Sequence, residues 1–287
     1  MTTKSLSIPT LTLPDSAPGQ GSREIPLIGF GTSSLKGTAA VDAVACALRS
    51  GYRLIDTASQ YGNEASVGEG IRRSGIKRED VIVTTKVAGG DQGQEATPTA
   101  VRESLRRLGL DYIDILLIHW PNPSRGLAAQ TWQAMLKLVD EGLVRIPGVS
   151  NFRPDQLTEL HRASGVWPAM NQIQLSPALQ RHDAVAFHAE HGIVTEAWGP
   201  LGGREGLSSQ FVMKRLAAKY DASTAQIALR WAIDRNIVVI PKSTNPERQL
   251  ANASLDHVRF DQSDLDLIAT LDLGEEAAWD SREHEEW

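Results

Sequence analysis

The sequence contains little cysteine and no long hydrophobic run. Cys46 is the single cysteine among 287 residues, so no intrachain disulfide can form, and its apolar helical surroundings predict a buried structural thiol. No segment approaches the roughly 18 apolar residues of a membrane-spanning helix, and residues 1–20 lack the apolar core of a secretory signal. We therefore expect a cytoplasmic protein with no membrane partner.

Positive charge is also scarce. Lysine and arginine number 29 against 35 acidic residues, which gives a net charge of −6. A nucleic acid would favour a basic face, so we predict no nucleic-acid partner and expect any anion site to be local. The 41% hydrophobic and 22% charged residues are typical of a globular protein with a large core. With no break in composition, we expect a single domain over residues 1–287. We also expect a monomer and no metal site.

Eight short runs rich in β-branched or apolar residues alternate with segments of helical period. Most are too apolar to have a solvent-facing side, as expected for parallel strands covered on both faces. The runs are residues 25–31, 52–58, 81–87, 114–120, 146–151, 169–175, 193–199 and 237–243. Eight alternations predict a closed (β/α)8 barrel. A β-hairpin over residues 11–24 is expected before it, and a surface helix near residues 261–271 after it.

Local signals predict where two helices begin and end. Thr97 and Pro98 are the predicted N-cap and first residue of a helix that ends at Gly109. Ser223 and Gln226 are spaced as a capping box in front of a later helix.

Polar side chains stand at the ends of three successive runs, where a barrel of this kind builds its active site. Asp56 ends the second run, Tyr61 follows in the next loop, Lys86 ends the third run and His119 the fourth. Each could be structural alone, with Asp56 and Lys86 as a buried ion pair and His119 as a hydrogen-bonded core histidine. Converging at the open end of a barrel, the four together predict an acid–base site.

These residue types suit the protonation of an oxygen while a cofactor delivers hydride to its carbon. Tyr61 is the predicted acid, and the Lys86 ammonium is expected to lower its pKa. Asp56 would keep Lys86 charged and in place. His119 would donate a hydrogen bond to the carbonyl oxygen and orient it.

The end of the eighth run predicts a phosphate site. Asn245 can cap a helix that begins with a proline, and Lys242, Ser243 and Arg248 surround the N-terminus of that helix. Barrels frequently bind phosphate in the loops after strands 7 and 8, which here include the glycine-rich residues 199–203. The alternative is a solvated cluster of charges.

Seven segments in order resemble the aldo-keto reductases across the whole barrel. They are residues 53–58 (RLIDTA), 61–64 (YGNE), 85–86 (TK), 117–121 (LIHWP), 148–152 (GVSNF), 171–172 (NQ) and 240–243 (IPKS). Tryptophan at position 198, where most relatives have tyrosine, is similar to the bacterial 2,5-diketo-D-gluconic acid reductases. The resemblance implies NADPH-dependent reduction of small aldehydes or ketones, with Asp56, Tyr61, Lys86 and His119 as the catalytic tetrad.

The same resemblance implies how NADPH is held. The nicotinamide carboxamide would bind three polar side chains, and Trp198 would stack on the ring. The 2′-phosphate would lie among the residues of the predicted phosphate site, and Asn252 would contact the adenine. The implied cofactor-binding residues are Ser150, Asn151, Gln172, Trp198, Gly199, Leu201, Gly202, Lys242, Ser243, Thr244, Arg248 and Asn252.

The substrate pocket departs from the family pattern. Ser33 stands where many relatives have tryptophan, and Ala88 where another pocket aromatic is common, so we expect a wider or more polar pocket. Trp120 and Trp279 are the remaining candidate pocket aromatics. The short, acidic residues 273–287 do not identify the substrate.

Two other functions fit part of the pattern. The resemblance includes potassium-channel β-subunits that bind NADPH on the same barrel, which would make the protein a redox sensor, although nothing in the short C-terminus suggests a partner surface. A Schiff-base aldolase could use Lys86, with a phosphorylated substrate at Lys242 and Arg248. That alternative leaves Tyr61 and residues 171–172 unexplained.

Overall fold

The computed structural model describes residues 8–13, 23–203 and 206–286. It begins with the predicted antiparallel hairpin, in which β1 (Thr10–Leu13) pairs with β2 (Arg23–Pro26). Leu13 and Ile25 are buried in the main core, so the hairpin packs against the barrel. Residues 14–22, which include the middle of the predicted hairpin, lie outside the described residues, as does Trp287.

Eight parallel strands form the predicted (β/α)8 barrel, each beside its neighbour in the chain. The strands are β3 (Phe30–Gly31), β4 (Leu54–Asp56), β5 (Ile82–Val87), β6 (Ile113–Ile118), β7 (Val144–Ser150), β8 (Met170–Gln174), β9 (Val194–Trp198) and β10 (Val238–Val239). A parallel bridge between Ile28 and Val239 closes the ring. A Cβ on Gly31 would lie 2.6 Å from the Ile240 backbone oxygen, so glycine permits the close approach at this seam.

The first predicted strand, residues 25–31, is in fact divided between two elements. Ile25 belongs to the hairpin, whereas the barrel strand is confined to Phe30 and Gly31. The backbone changes partner in between, because Leu27 N donates to Pro9 O and Gly29 N donates to Val239 O, each at 2.8 Å. The prediction of one strand is wrong, because the apolar pattern of residues 25–31 is the same whether they join one sheet or are divided between two.

Ten helices of the described residues surround the barrel. They are α1 (Gly37–Arg49), α2 (Glu64–Ser74), α3 (Ala96–Leu108), α4 (Ala128–Asp140), α5 (Pro154–Ser164), α6 (His182–Glu190), α7 (Phe211–Lys219), α8 (Thr224–Ile233), α9 (Pro246–Ala253) and α10 (Gln262–Ala269). The surface helix predicted near residues 261–271 is α10, and Lys219 of α7 joins it through a 2.7 Å bond to Asp264. None of these ten is long and apolar enough to cross a bilayer.

Helix ends agree with the sequence signals at most points. Ser223 and Gln226 form the predicted capping box of α8, and Gly109 ends α3 in the left-handed conformation. Thr97 does not cap α3, because its hydroxyl donates to Asp91 O at 3.0 Å and the helix has already begun one residue earlier. Cys46 is half-buried rather than buried, since it lies at the edge of the apolar face of α1.

Candidate active site

Strand register brings a series of polar side chains to one face of the sheet. Side chains alternate along a strand, so residues in register, or two positions apart, share a face. Asp56 in β4 shares this face with Lys86 in β5, since the register places them two positions apart. Ser150 in β7 lies opposite Gln172 in β8, which lies opposite Glu196 in β9. These polar groups are buried, so this face is the barrel interior.

Lys86 and Asp56 form a buried ion pair. Lys86 Nζ lies 2.8 and 2.7 Å from the two carboxylate oxygens of Asp56 and donates to Thr57 O at 2.8 Å. Burial by itself lowers the pKa of Lys86, but the charge of Asp56, with that of the Tyr61 phenolate once it forms, outweighs burial and the pKa is raised. Lys86 is therefore an ammonium with three acceptors. A Schiff base requires a free neutral amine, so this geometry counts against the aldolase alternative.

Tyr61 lies against both Lys86 and His119. Its ring centroid is 5.1 Å from Lys86 Nζ and 5.7 Å from the His119 ring, which it meets edge-on. Burial raises the pKa of Tyr61, and the Lys86 charge lowers it by less. The expectation of a lowered pKa is therefore wrong for the net shift, because burial outweighs Lys86. The phenol keeps its proton at neutral pH and is available as a donor.

His119 is a neutral imidazole at the same cavity. Burial, together with the Lys86 charge, lowers its pKa to about 3. Its backbone oxygen accepts a hydrogen bond from Asn151 Nδ2 at 3.1 Å, which ties it to the end of β7. The buried Nδ1 atom has no hydrogen-bond partner among the described residues. Because Nδ1 is closed off from the cavity, Nε2 is the ring nitrogen that can contact a ligand there.

Four of the predicted cofactor residues form one hydrogen-bonded group. Trp198 Nε1 donates to Asn151 Oδ1 at 2.8 Å, Asn151 Nδ2 donates to Ser150 Oγ at 3.0 Å, and Ser150 Oγ donates to Gln172 O at 3.0 Å. Asn151 has a φ of 65°, a left-handed conformation that asparagine tolerates better than most residues. The turn at Asn151 directs its amide toward the indole, so the orientation of Trp198 is fixed.

Glu196 is a buried acid at this site that the sequence interpretation missed. Gln172 Nε2 donates to Glu196 Oε2 at 2.6 Å and to Asp56 Oδ2 at 2.9 Å, so one amide links two carboxyl groups. Burial, and then the Asp56 charge, raise the pKa of Glu196 to about 8. Glu196 therefore carries a proton at neutral pH. The available signal was a carboxylate within an apolar run, two residues before Trp198.

We expect Glu196→Gln to change how stability depends on pH. Folded Glu196 keeps its proton to about pH 8, whereas the unfolded chain releases it near the ordinary value of 4.5. The stability due to Glu196 is fully present below pH 4.5 and is lost as the pH rises to about 8, by about 1.4 kcal/mol per pH unit. Urea unfolding at stepped pH should show a shallower decline for the variant. Identical slopes would show that the carboxyl is ionised when folded.

The cavity at the barrel mouth continues into a second one. The first cavity, about 520 Å³, is lined by three of the four predicted catalytic residues: Asp56, Tyr61 and His119. The fourth, Lys86, lies behind Asp56. The second, about 850 Å³, extends to the N-terminus of α9. Leu201 and Lys242 line both, so the two form a continuous groove.

The outer end of this groove contains the predicted phosphate residues. Asn245 Oδ1 accepts from Arg248 N at 2.9 Å and caps α9, as predicted. The predicted residues that line the second cavity are Leu201, Lys242, Ser243, Thr244, Arg248 and Asn252. Gly199 lines the first cavity, whereas Gly202 is in neither lining, and a Cβ there would meet Leu207 at 2.7 Å. Gly202 therefore has a packing reason to be glycine.

Three of the four predicted substrate residues line the first cavity. They are Ser33, Trp120 and Trp279. Ala88 is not among the described residues of that lining, because the C-terminal segment covers the loop that follows β5. A Cβ on Gly89, the next residue, would overlap the backbone oxygen of Glu286.

The C-terminal segment also contributes residues that the sequence did not reveal. Asn122 Nδ2 donates to Glu286 O at 2.8 Å, and Glu286 N donates to Asn122 Oδ1 at 3.1 Å. His284 lies 4.4 Å from the Trp120 ring and 4.5 Å from the Trp279 ring. Glu286 lines the cavity itself. The contacts of this segment with Asn122 and Trp120 join residues more than 150 positions apart, and no local pattern records such a pairing.

Known proteins match this chain over nearly its whole length. Residues 27–272 match the family model described as the aldo/keto reductase family. The chain is 41% identical over 280 residues to 2,5-diketo-D-gluconic acid reductase B of a Corynebacterium species, covering 98% of this chain and 99% of that one. The predicted likeness to that subgroup is thus confirmed.

Solved structures agree with the sequence match. An aldo/keto reductase from Brucella melitensis is 45% identical, with a TM-score of 0.87, and the match covers 93% of this chain and all of that one. A Bombyx mori aldo-keto reductase in complex with NADP is 34% identical, with a TM-score of 0.83 and 92% and 93% coverage. The chain therefore belongs to the aldo/keto reductase family of oxidoreductases.

Proposed function

We propose that this protein reduces the carbonyl group of small aldehydes or ketones to an alcohol, with NADPH as the hydride donor and Tyr61 as the proton donor. The observation that carries the proposal is the meeting of a protonated phenol, a buried ammonium and a neutral imidazole at the mouth of one barrel. Family membership supports an NADPH-dependent reductase. The NADP complex of the Bombyx mori relative supports the choice of cofactor.

The residues that line the groove offer NADPH suitable chemical groups at both ends. At the inner end, Ser150, Asn151 and Gln172 offer the hydroxyl and amide groups that a carboxamide can bond, beside the flat indole of Trp198. At the outer end, Lys242 and Arg248 flank a helix N-terminus, which favours the 2′-phosphate. The bound cofactor supplies hydride for the carbonyl carbon.

The chain supplies the proton and stabilises the charge that moves. Tyr61 keeps its proton until the carbonyl oxygen takes it, and the Lys86 ammonium, 5.1 Å from the ring, then stabilises the phenolate that is left. Lys86 does not leave its place, because Asp56 holds it with both oxygens. A proton from solvent restores the phenol.

His119 orients the carbonyl. With its pKa lowered to about 3, it is neutral at physiological pH and offers an N–H without competing with Tyr61 as an acid. Its interaction is therefore electrostatic, directed at the oxygen on which negative charge develops.

We expect Arg248→Ala to weaken NADPH binding far more than NADH binding. Only NADPH carries the 2′-phosphate, and the lost charge-assisted hydrogen bond amounts to about 1.5–3 kcal/mol, or roughly 10- to 100-fold in Kd. Quenching of tryptophan fluorescence measures both constants. Arg106→Ala, at an exposed arginine of α3, is the matched control. Equal weakening of NADPH and NADH binding would show that Arg248 does not bind the 2′-phosphate.

A substrate panel tests the proposed function itself. NADPH absorbance is followed with aldehydes, α-dicarbonyls, ketoses and aromatic ketones, together with the alcohol formed. We expect cofactor consumption and alcohol in equal amounts for at least one class. Tight NADPH binding without consumption in every class would favour the redox-sensor alternative.

A further inference from the structure

Indole rings and one carboxylate meet at one end of the first cavity, which we call the substrate end. Trp120 and Trp279, which we call the indole wall, line it together with Glu286, and Trp198, whose face is proposed to stack on the nicotinamide, borders this wall. The Trp120 and Trp279 rings stack with centroids 6.1 Å apart, and Trp198 meets Trp279 edge-on at 5.9 Å. Aromatic faces carry negative potential, so an indole wall beside a carboxylate attracts an organic cation.

Backbone hydrogen bonds hold Glu286 at the cavity, and its side chain takes no part in them. Both of its bonds to Asn122 use main-chain atoms of Glu286. Its carboxylate is 28% exposed, and Oε1 lies 3.1 Å from His284 Nε2. A substitution of the side chain therefore leaves the anchor of the segment intact.

The charge of Glu286 influences the Tyr61 phenol. Burial and the charges of Lys86 and Asp56 have the largest effects on the pKa of Tyr61, and the Glu286 charge raises it further. The carboxylate therefore lies within electrostatic range of the phenol. A substrate whose carbonyl contacts Tyr61 can present a second group to Glu286 at the same time.

Among the described residues that line the cavity, no lysine or arginine forms an ion pair with Glu286, and the neighbouring His284 adds a positive charge only when it is protonated. Asp56 is neutralised by Lys86. Lys242 is the only lysine or arginine among the described residues that line the cavity, and its Nζ donates to Ser34 Oγ at 2.6 Å, on the side that opens to the second cavity. An anionic substrate group at the substrate end would therefore meet a carboxylate and no cation.

We propose that Glu286 and the indole wall select carbonyl compounds that carry a positive charge near the carbonyl, such as a protonated amine or a quaternary ammonium group. The inference rests on the proposed function and names the substrate class for the same site. Glu286 acts on specificity, and Tyr61 remains the proton donor for every substrate. Carbonyl compounds with a carboxylate near the carbonyl are disfavoured.

The test uses benzaldehydes that differ in the charge of the para substituent: trimethylammonium, methyl and carboxylate. Because the same aldehydes are compared between wild type and each variant, differences in their intrinsic reactivity cancel. We expect the ratio of kcat/KM for the cationic to the neutral aldehyde to fall about 10-fold in Glu286→Gln, at moderate salt. Glu286→Lys should favour the carboxylate aldehyde instead. Glu283→Gln, an equal charge change at an exposed residue of the same segment outside the lining, should keep the wild-type ratio.

Binding without turnover separates this inference from the proposed function. Benzyltrimethylammonium is titrated into the NADPH complex at pH 8, above the range in which imidazoles are usually protonated, with indole fluorescence as the signal. We expect its Kd to rise about 10-fold in Glu286→Gln, with benzoate binding more weakly than the cation to wild type. Equal ratios and equal Kd values in wild type and Glu286→Gln would overturn the inference. If no aldehyde is reduced, the proposed function fails, and the titration still decides the role of Glu286.

Discussion

Tyr61→Phe should reduce carbonyl turnover by roughly 10²- to 10⁴-fold while NADPH still binds, as expected when a general acid is removed. The substitution deletes one hydroxyl and keeps the ring that packs between Lys86 and His119. The protein should therefore fold normally. NADPH consumption measures the rate, and fluorescence quenching measures cofactor affinity.

Tyr112→Phe is the matched control for that experiment. It makes the same chemical change at a tyrosine that packs against Arg78 and Arg145, outside the lining of the cavity. We expect its turnover to equal that of the wild type. Normal turnover by Tyr61→Phe would refute Tyr61 as the acid, and loss of NADPH binding would show that the residue has a different role.

Lys86→Met should both abolish turnover and destabilise the fold, by about 3–5 kcal/mol. Lys86 and Asp56 are each only 1% exposed. Without the ammonium, the Asp56 carboxylate would be left buried and without its cation, near Glu196. Urea unfolding gives the loss of stability, and NADPH consumption gives the loss of activity.

The double variant Asp56→Asn with Lys86→Met separates the two effects. Removing the carboxylate together with its partner should restore part of the stability, because no uncompensated buried charge remains. Activity should stay low, since no cation is left beside Tyr61. A single variant Lys86→Met as stable as the wild type would show that the ion pair is not the buried contact that the geometry indicates.

The barrel and its inward-facing polar residues could be predicted because both depend on regular spacing. Parallel strands buried on both faces are apolar throughout, so Asp56, Lys86 and His119 stand out at their ends. The register of neighbouring strands then shows which of these side chains lie close together, since side chains alternate between the two faces with a period of two. The helix N-terminus at Asn245 could be predicted for the same reason: a cap is a local pattern.

Other features depend on what surrounds a residue, which local spacing does not record. The net pKa shift of Tyr61 follows from its burial, and the sequence reveals only the neighbouring lysine. The contact of Glu286 with the cavity depends on Asn122, which lies 164 positions earlier in the chain. Glu196 could have been noticed as a carboxylate in an apolar strand, but its raised pKa depends first on its burial and then on the charge of Asp56 across the barrel.

The most direct test of the central claim uses NADPH deuterated at C4 of the nicotinamide on the transferred face. Wild-type protein is incubated with an aldehyde that it consumes, and the alcohol is examined by mass spectrometry. The account predicts one deuterium on the carbinol carbon of each alcohol molecule, and roughly 10²- to 10⁴-fold slower formation of the same labelled alcohol by Tyr61→Phe. Alcohol formed without deuterium, with either cofactor face labelled, would contradict hydride transfer at this site.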